Sequence, residues 1–465
     1  MERKIEATLE AWRSSADRKP LLLLGCRQCG KTYSMKKFGK SYASCAYINF
    51  EIDPAKKMLF EGDIAPAALL ERIMLSCGTD FIEGDTLVIF DEVQLCPGAL
   101  SSLKPFKDHG FMDVVALGSF LGVYLGGVDL EKGKVEEREA PVGYVDLEVM
   151  HPMDFEEFCW AMGVSKDIIR IVKDDILAQR RVDGYFDKVM GDLFRRYIVI
   201  GGMPEAVAAF AQRNDYSEVK RIQGNILAIL KADAGRYSSR ADRAKIIDVM
   251  DSIPMQLASE KGVFEYGSIP KARQGYGKRE YGSAILWLEM AGIAMRSFNL
   301  TAPDAPLSTH VKRDNFRLFM CDTGLLMSMM DGSDAANIVN RNPESNNGPI
   351  MENAIATVLH KKGYALRFYS KSDSTLEIDF VIDMGGIVLL EVKSGGSRRS
   401  KALSTLMAAG GRRGIKMAES QISVDERGIL HLPLYGPFFL PDASPEGFAP
   451  ADVDGINRRL EELVG

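Results

Sequence analysis

Gly25-Cys26-Arg27-Gln28-Cys29-Gly30-Lys31-Thr32 follows four leucines, Leu21 to Leu24, and runs into Tyr33-Ser34-Met35-Lys36-Lys37-Phe38. An apolar strand, a glycine-bounded loop and a helix start are the context in which G-x-x-x-x-G-K-[ST] binds phosphate. Gly25 and Gly30 let the backbone curl so that successive N–H groups face inward. The helix N-terminus adds its positive dipole end. Lys31 is placed to reach β- and γ-phosphates and Thr32 to hold Mg²⁺. The expected ligands are therefore ATP and Mg²⁺. The nucleotide-binding stretch is Gly25, Cys26, Arg27, Gln28, Cys29, Gly30, Lys31, Thr32 and Tyr33.

A phosphate loop needs an acidic partner on a second buried strand. Leu87-Val88-Ile89-Phe90 ends in Asp91-Glu92, which puts Asp91 near the Mg²⁺ position and offers Glu92 to polarise the attacking water. A third apolar run, Val114 to Leu117, leads to Gly118-Ser119. Ser119 is either a γ-phosphate contact or the start of a turn, and Gln94 either approaches nucleotide or caps the next turn. Cys26 and Cys29 have Cys-x-x-Cys spacing, but zinc wants four ligands and no second pair lies near in sequence. They read as small residues fitting a tight loop, whose oxidation could block nucleotide binding.

The 465 residues exceed one ordinary domain. With 46% hydrophobic and 26% charged residues, composition is that of a globular protein. No apolar run approaches a membrane span and the N-terminus lacks an apolar signal core, so a cytoplasmic protein without a membrane partner is expected. Seven scattered cysteines make no disulfide framework. A net charge of −6 argues against indiscriminate coating of nucleic acid but permits a local basic surface.

Strands at 46–50, 86–90, 114–117 and 143–148, separated by helical stretches such as 67–74, predict a parallel α/β sheet over residues 1–150. Residues 122–139 read as a surface loop. Residues 151–314 read as helical, with helices over 154–160, 192–200, 216–232, 244–259 and 281–291. Lys271, Arg273, Lys278 and Arg279, interleaved with Gly275, Tyr276 and Gly277, suit either a winged-helix-like phosphate contact or a solvated loop. Residues 315–440 return to α/β, with helices at 322–326, 350–361 and 403–409 and strands at 317–321, 365–369, 377–384, 387–392 and 415–417. Residues 441–465 read as a tail ending in a short helix.

The third region carries a second constellation. Asp379 is followed, eleven residues intervening, by Glu391-Val392-Lys393. Residues i and i+2 of a strand share a face, so Glu391 and Lys393 point together and Asp379 can meet them from the neighbouring strand. Glu352, on the preceding helix, can add a carboxylate. Asp379, Glu391 and Glu352 as metal ligands with Lys393 as a catalytic cation would suit Mg²⁺-assisted phosphodiester cleavage; a surface salt bridge is the alternative.

These motifs together resemble a bacterial and archaeal family of AAA+-type ATPases fused to a C-terminal domain of unknown function with a PD-(D/E)XK restriction-endonuclease-like core. The matching residues include Gly25–Thr32, Tyr47–Glu51, Phe90–Gln94, Gly118-Ser119, Phe155–Phe158, Gly201–Glu205, Asp322–Leu326, Glu352-Asn353, Glu377–Phe380 and Glu391–Ser394. The resemblance implies ATP and Mg²⁺ binding by Lys31, Thr32, Asp91 and Glu92, and a nuclease-like core around Glu352, Asp379, Glu391 and Lys393. Where such proteins carry Gly-Arg-Val, this chain has Gly143-Tyr144-Val145. A role of that arginine would pass elsewhere, for example to Arg138. Arg195 and Arg196 are further candidates for a phosphate-facing arginine, and one supplied by a neighbouring copy would imply a homo-oligomer. Two functions follow. In one, nucleotide state controls a DNA-associated nuclease-like domain; in the other, a regulatory or scaffold ATPase carries an inactive C-terminal fold that binds nucleic acid or protein.

Overall fold

The computed structural model describes residues 1–109, 112–119, 125–129, 134–137, 143–234, 240–259, 262–269, 277–342, 347–371, 376–393 and 400–443. Helix α1 (Ile5–Ser14) precedes β1 (Leu21–Gly25), α2 (Lys31–Gly39), β2 (Ser44–Asn49), α3 (Pro66–Cys77), β3 (Thr86–Asp91), α4 (Pro97–His109) and β4 (Asp113–Gly118). Strands β5 (Leu125–Asp129) and β6 (Lys134–Glu137) form an antiparallel hairpin within the stretch expected to be a loop, before β7 (Asp146–Met150). The sheet order is β2-β3-β4-β1-β7, every pair parallel.

Its central strands β3, β4 and β1 are buried apolar runs because both faces are covered, whereas the edge strands β2 and β7 are partly exposed. Leu22 and Leu24 pack with Val88, Phe90, Leu69 and Leu103 beneath α3 and α4. Leu21 and Leu23 face Leu9 and Trp12 of α1 and Met35 and Phe38 of α2. That second core continues without a break into residues far along the chain, among them Phe155, Tyr197, Leu288, Ile355 and Phe438.

The helical region comprises α5 (Phe155–Ala161), α6 (Lys166–Leu177), α7 (Gly184–Ile200), α8 (Pro204–Arg213), α9 (Tyr216–Asp233), α10 (Arg240–Ala258) and α11 (Lys278–Met290). Asp154 and Glu157 cap α5 reciprocally, satisfying two otherwise orphaned N–H donors. Between α7 and α8, a Cβ on Gly202 would lie 1.9 Å from the Met153 carbonyl oxygen. Only glycine permits that approach.

The helical expectation misses a strand. β8 (Ala294–Leu300) pairs antiparallel with β9 (Val311–Met320), so the expected boundary at 314/315 falls inside β9. Ser297 and Asn299 are buried in β8 and hide its apolar pattern; Asn299 exchanges hydrogen bonds with the Ser370 backbone at 3.0 Å. Before α11, the Phe264 N–H donates to the Phe316 carbonyl at 2.8 Å. The order here is α10, an extended segment, α11, β8 and β9.

Beyond lie α12 (Thr323–Ser328), α13 (Gly332–Val339), α14 (Gly348–Lys361), β10 (Arg367–Ser370), β11 (Glu377–Ile378), β12 (Phe380–Asp383), β13 (Ile387–Val392), α15 (Lys401–Ala408), β14 (Arg413–Ala418), β15 (Ser423–Val424) and β16 (Leu430–Pro433). The strand expected over 377–384 is broken at Asp379. β11 joins the sheet β11-β10-β8-β9, whereas β12 begins the sheet β12-β13-β14-β16-β15. Pro441–Ala443 lie against α14, with the Ala443 N–H donating to the Lys362 carbonyl at 2.7 Å; the terminal helix expected beyond lies outside the described residues. Among the described residues no helix is long and apolar enough to cross a membrane.

Candidate functional site

The loop 25–32 bends where its sequence allows. Gly25 pairs with Met150, and a Cβ there would sit 2.3 Å from the Met150 carbonyl oxygen. Gly30 has φ +98° and caps α2. Gln28 and Glu92 also adopt positive φ, 64° and 53°, a strained state for non-glycine residues that clusters at functional sites. Lys31 Nζ donates to the Gly25 and Cys26 carbonyls at 2.8 Å each, so it lies within the loop's concavity.

Thr32 Oγ1 donates to Asp91 Oδ2 at 2.8 Å. Tyr47 OH, at 2.7 Å, and Asn49 Nδ2, at 3.2 Å, donate to the same oxygen. The parallel pairing of β2 and β3 sets Asn49 beside Asp91. Glu92 is next in sequence, with Oε2 accepting from Gln94 Nε2 at 2.5 Å. Burial raises the Glu92 carboxyl above its ordinary value, against the opposing pull of Arg27 and Lys31.

These groups open on a cavity of about 750 Å³ lined by Lys31, Thr32, Tyr33 and Glu92 together with α8 residues Glu205 and Gln212. That volume is within the range of small-molecule sites. The site suits a magnesium nucleotide on three grounds: the glycine cradle, a lysine among the loop carbonyls, and a hydroxyl–carboxylate oxygen pair such as Mg²⁺ takes alongside phosphate and water.

Other expected groups lie elsewhere. Ser119 lines a separate small crevice with Arg27, Trp287 and Asp233, and Arg27 is ion-paired to Asp233 of α9. Arg195 is held by Glu419 at 2.5 Å and Asp192 at 3.5 Å. Arg196 is exposed, and Arg138 lies outside the described residues. The Cys26 and Cys29 side chains are buried in the core. The hydrogen bond from Cys26, together with burial, holds the Cys29 thiol well above its usual range. A thiol held this way is a weak nucleophile.

Sequence reading did not single out Arg3. Its Nη1 donates to the Cys29 carbonyl at 2.9 Å, its Nη2 to the His151 carbonyl at 2.8 Å, and its Nε pairs with Glu157 at 2.9 Å. It clamps the loop to the end of β7 and the start of α5. No local motif announces it, because all three partners are remote in sequence.

The C-terminal constellation assembles around a cation of the protein's own. The buried Arg317 guanidinium on β9 reaches Glu352 at 3.0 Å and Asp379 at 3.8 Å, and pairs with Glu377. It also lies 4.5 Å over the Phe368 ring. Asp379 Oδ2 accepts from the Val392 N–H at 2.7 Å. Burial, then Asp379, pushes the Glu352 carboxyl up to about 8. Glu391 pairs with Lys393 at 3.0 Å and stands in register with Lys416 of β14.

Glu352, Asp379, Glu391 and Lys393 are thus neighbours, yet their charges meet arginine and lysine. Among the described residues no three His, Cys, Asp or Glu side chains converge as metal ligands would. Among the described residues, Glu391 Oε2 is the one buried carboxylate oxygen of this cluster without a hydrogen-bond partner. In this arrangement the cations Arg317 and Lys393 stand among Glu352, Asp379 and Glu391, the carboxylates expected to hold a metal.

Residues 17–159 match the model of an AAA domain. Residues 191–336 and 347–435 match two domains of unknown function, DUF8612 and DUF4143. No curated protein matches the chain. Similar solved structures include the Aeropyrum pernix ORC1 protein in complex with DNA, at 13% identity over 73% of this chain and 91% of that one, TM-score 0.26. A DNA replication initiation factor matches at 13% identity over 62% and 76%, TM-score 0.23. Drosophila ORC bound to DNA matches at 12% over 61% and 72%, TM-score 0.22. At these scores the likeness carries no weight beyond itself. With its matched model, parallel sheet and P-loop, the N-terminal region is an AAA-type P-loop domain.

Proposed function

We propose that the chain binds ATP with Mg²⁺ in the P-loop cavity and hydrolyses it. The observation that carries this reading is the Thr32–Asp91 hydrogen bond, 2.8 Å, beside Lys31 and Glu92 at the cavity wall. Lys31 exchanges its loop carbonyls for β/γ-phosphate oxygens, and the loop N–H groups take the remaining charge. Thr32 and Asp91 would hold Mg²⁺, which would supply neutralisation of phosphate charge. Glu92, half-buried beside Arg27 and Lys31, accepts a proton from the attacking water, and Gln94 orients its carboxylate.

Lys31→Ala abolishes nucleotide binding in a calorimetric titration. Glu92→Gln retains binding and slows turnover by roughly 10²- to 10⁴-fold, the usual worth of a positioned base. Wild-type turnover by Glu92→Gln would remove Glu92 from the assignment.

For the C-terminal region, Arg317 favours the non-cutting reading over the metal-dependent nuclease. Incubation with DNA, ATP and Mg²⁺ or Mn²⁺ yields no cleavage on this reading. Cleavage by wild type that is lost in Asp379→Ala and Lys393→Ala would reverse it. DNA is the proposed partner, and reading α10, α11, β8 and β9 as winged-helix-like supports it. Exposed Lys312 and Arg313 on β9 extend the basic group Lys278 and Arg279, joined through the Lys278–Asp314 pair at 2.6 Å; Lys271, Arg273 and Tyr276 lie outside the described residues. DNA affinity measured by anisotropy falls steeply with salt, and less steeply after Lys312→Ala with Arg313→Ala. No DNA binding at low salt would remove this partner.

A further inference from the structure

Behind the P-loop lies a second chamber, of about 800 Å³, that the nucleotide reading does not use. All three sequence regions build it. Gly25, Cys26 and the end of β7 form one wall, the α11–β8 turn another, and α14 with the start of β10 a third. A close-packed interior leaves few voids larger than a water molecule. A chamber of this volume is the size of a small-molecule site.

Its lining is mainly apolar and rich in sulfur. Cys26, Met150, Met290, Met295 and Cys321 all face it, and such polarizable side chains adapt to the shape of a guest. The charged groups are few and mostly cationic. Against the single carboxylate Glu289 stand Arg296, Arg367 and Lys361.

Arg296 is ion-paired with Glu289 through Nη2. Its guanidinium lies 5.2 Å over Phe298 and 5.6 Å over Phe316. Its Nε–H is buried with no acceptor among the described residues, and a buried donor in that state is uncommon. His151, after β7, and His360, on α14, meet edge to face at 5.7 Å between two of these walls. Burial, then Lys361, holds His151 down to about 3, so the imidazole is a neutral hydrogen-bonding group.

We propose that this chamber is a second ligand site, for a small organic anion with an apolar body, seated with its charged group at Arg296. Its occupancy is read by the P-loop, because Cys26 belongs to both. A Cβ on Gly292 of the α11–β8 turn would lie 3.5 Å from the Cys26 Cβ, so a guest that shifts this turn presses on the loop backbone. The coupling rests on the nucleotide reading; the binding does not. By linkage, nucleotide must change the affinity of the guest by the same factor as guest changes that of nucleotide.

The probe is 8-anilinonaphthalene-1-sulfonate, titrated into the full chain by fluorescence and calorimetry, with uncharged N-phenyl-1-naphthylamine as the comparison. One saturable site is expected, at least tenfold weaker for the uncharged analogue. Arg296→Met weakens the sulfonate at least tenfold, and Ala365→Trp, at an exposed position of the lining, blocks both probes while leaving ATP affinity in their absence unchanged. Saturating ATP changes sulfonate affinity at least twofold in wild type. No saturable binding, equal binding of the two probes, or binding indifferent to Ala365→Trp overturns the site. Sulfonate binding unchanged by ATP, in protein shown to bind ATP, overturns the coupling alone.

Discussion

At the scale of single residues, the chemistry splits into groups that a local motif announces and groups that only folding brings up. Lys31, Thr32, Asp91 and Glu92 carry their roles in their neighbours along the chain. Arg317 carries none. It sits four residues before the noted Cys321-Asp322 junction, yet it supplies the counter-charge of Glu352, Glu377 and Asp379. Removing one partner of a buried ion cluster leaves uncompensated charge and costs about 3–5 kcal/mol. Arg317→Met should lose that much in urea denaturation, and adding Glu352→Gln should recover part of it. A cost below about 1 kcal/mol would mean that the cluster does not need its arginine.

His151 gives a pH dependence. Burial lowers its folded value to about 3 from an ordinary 6.5, so below pH 6.5 the unfolded chain takes up a proton that the folded chain refuses. Its contribution to stability is present above pH 6.5 and declines as pH falls toward 3. His151→Gln should flatten that part of the melting-temperature profile, and parallel profiles would rule His151 out as its source.

At the scale of elements, strands with uninterrupted apolar runs and helices with clear caps were legible. The Leu21–Leu24 strand appears as β1 (Leu21–Gly25), and the acidic start at Asp154 is the cap of α5. β8 was not, because Arg296, Ser297 and Asn299 obscure its alternation and the bonds that satisfy Asn299 come from β10. Nor was the break at Asp379, whose carboxylate takes the Val392 N–H instead of continuing one strand. The purpose of the Gly201-Gly202 turn was not legible. Gly202 lies against Met153, and its N–H donates to Asp322 Oδ2 at 2.6 Å, while Asp322 Oδ1 caps α12. Gly202→Ala forces a methyl into backbone and should cost about 3 kcal/mol, the upper part of the overpacking range. A stability within 0.5 kcal/mol of wild type, the scatter of neutral changes, would show that the turn yields freely.

At the scale of the whole molecule, the regions do not behave as beads on a string. One face of the N-terminal sheet shares a core with α5, α7 and α14, and Arg3 and Lys4 pair with Glu157 and with Asp154 and Glu156 across the 150/151 boundary. A fragment of residues 1–150 should therefore expose that face and lack the cooperative thermal transition of the full chain. A fragment that melted cooperatively at the full-length midpoint would show that the N-terminal sheet folds alone.

The sequence by itself determined the P-loop, its acidic strand and the parallel sheet that holds them, because each depends on residues adjacent in the chain and on periodicity. Tertiary structure alone decided what surrounds them. It set Arg3 on the loop, placed Arg317 among the acids expected to hold a metal, and left an open chamber between three regions. Those outcomes depend on charges and surfaces that meet only when distant segments pack, and no local pattern encodes which cation will reach which carboxylate.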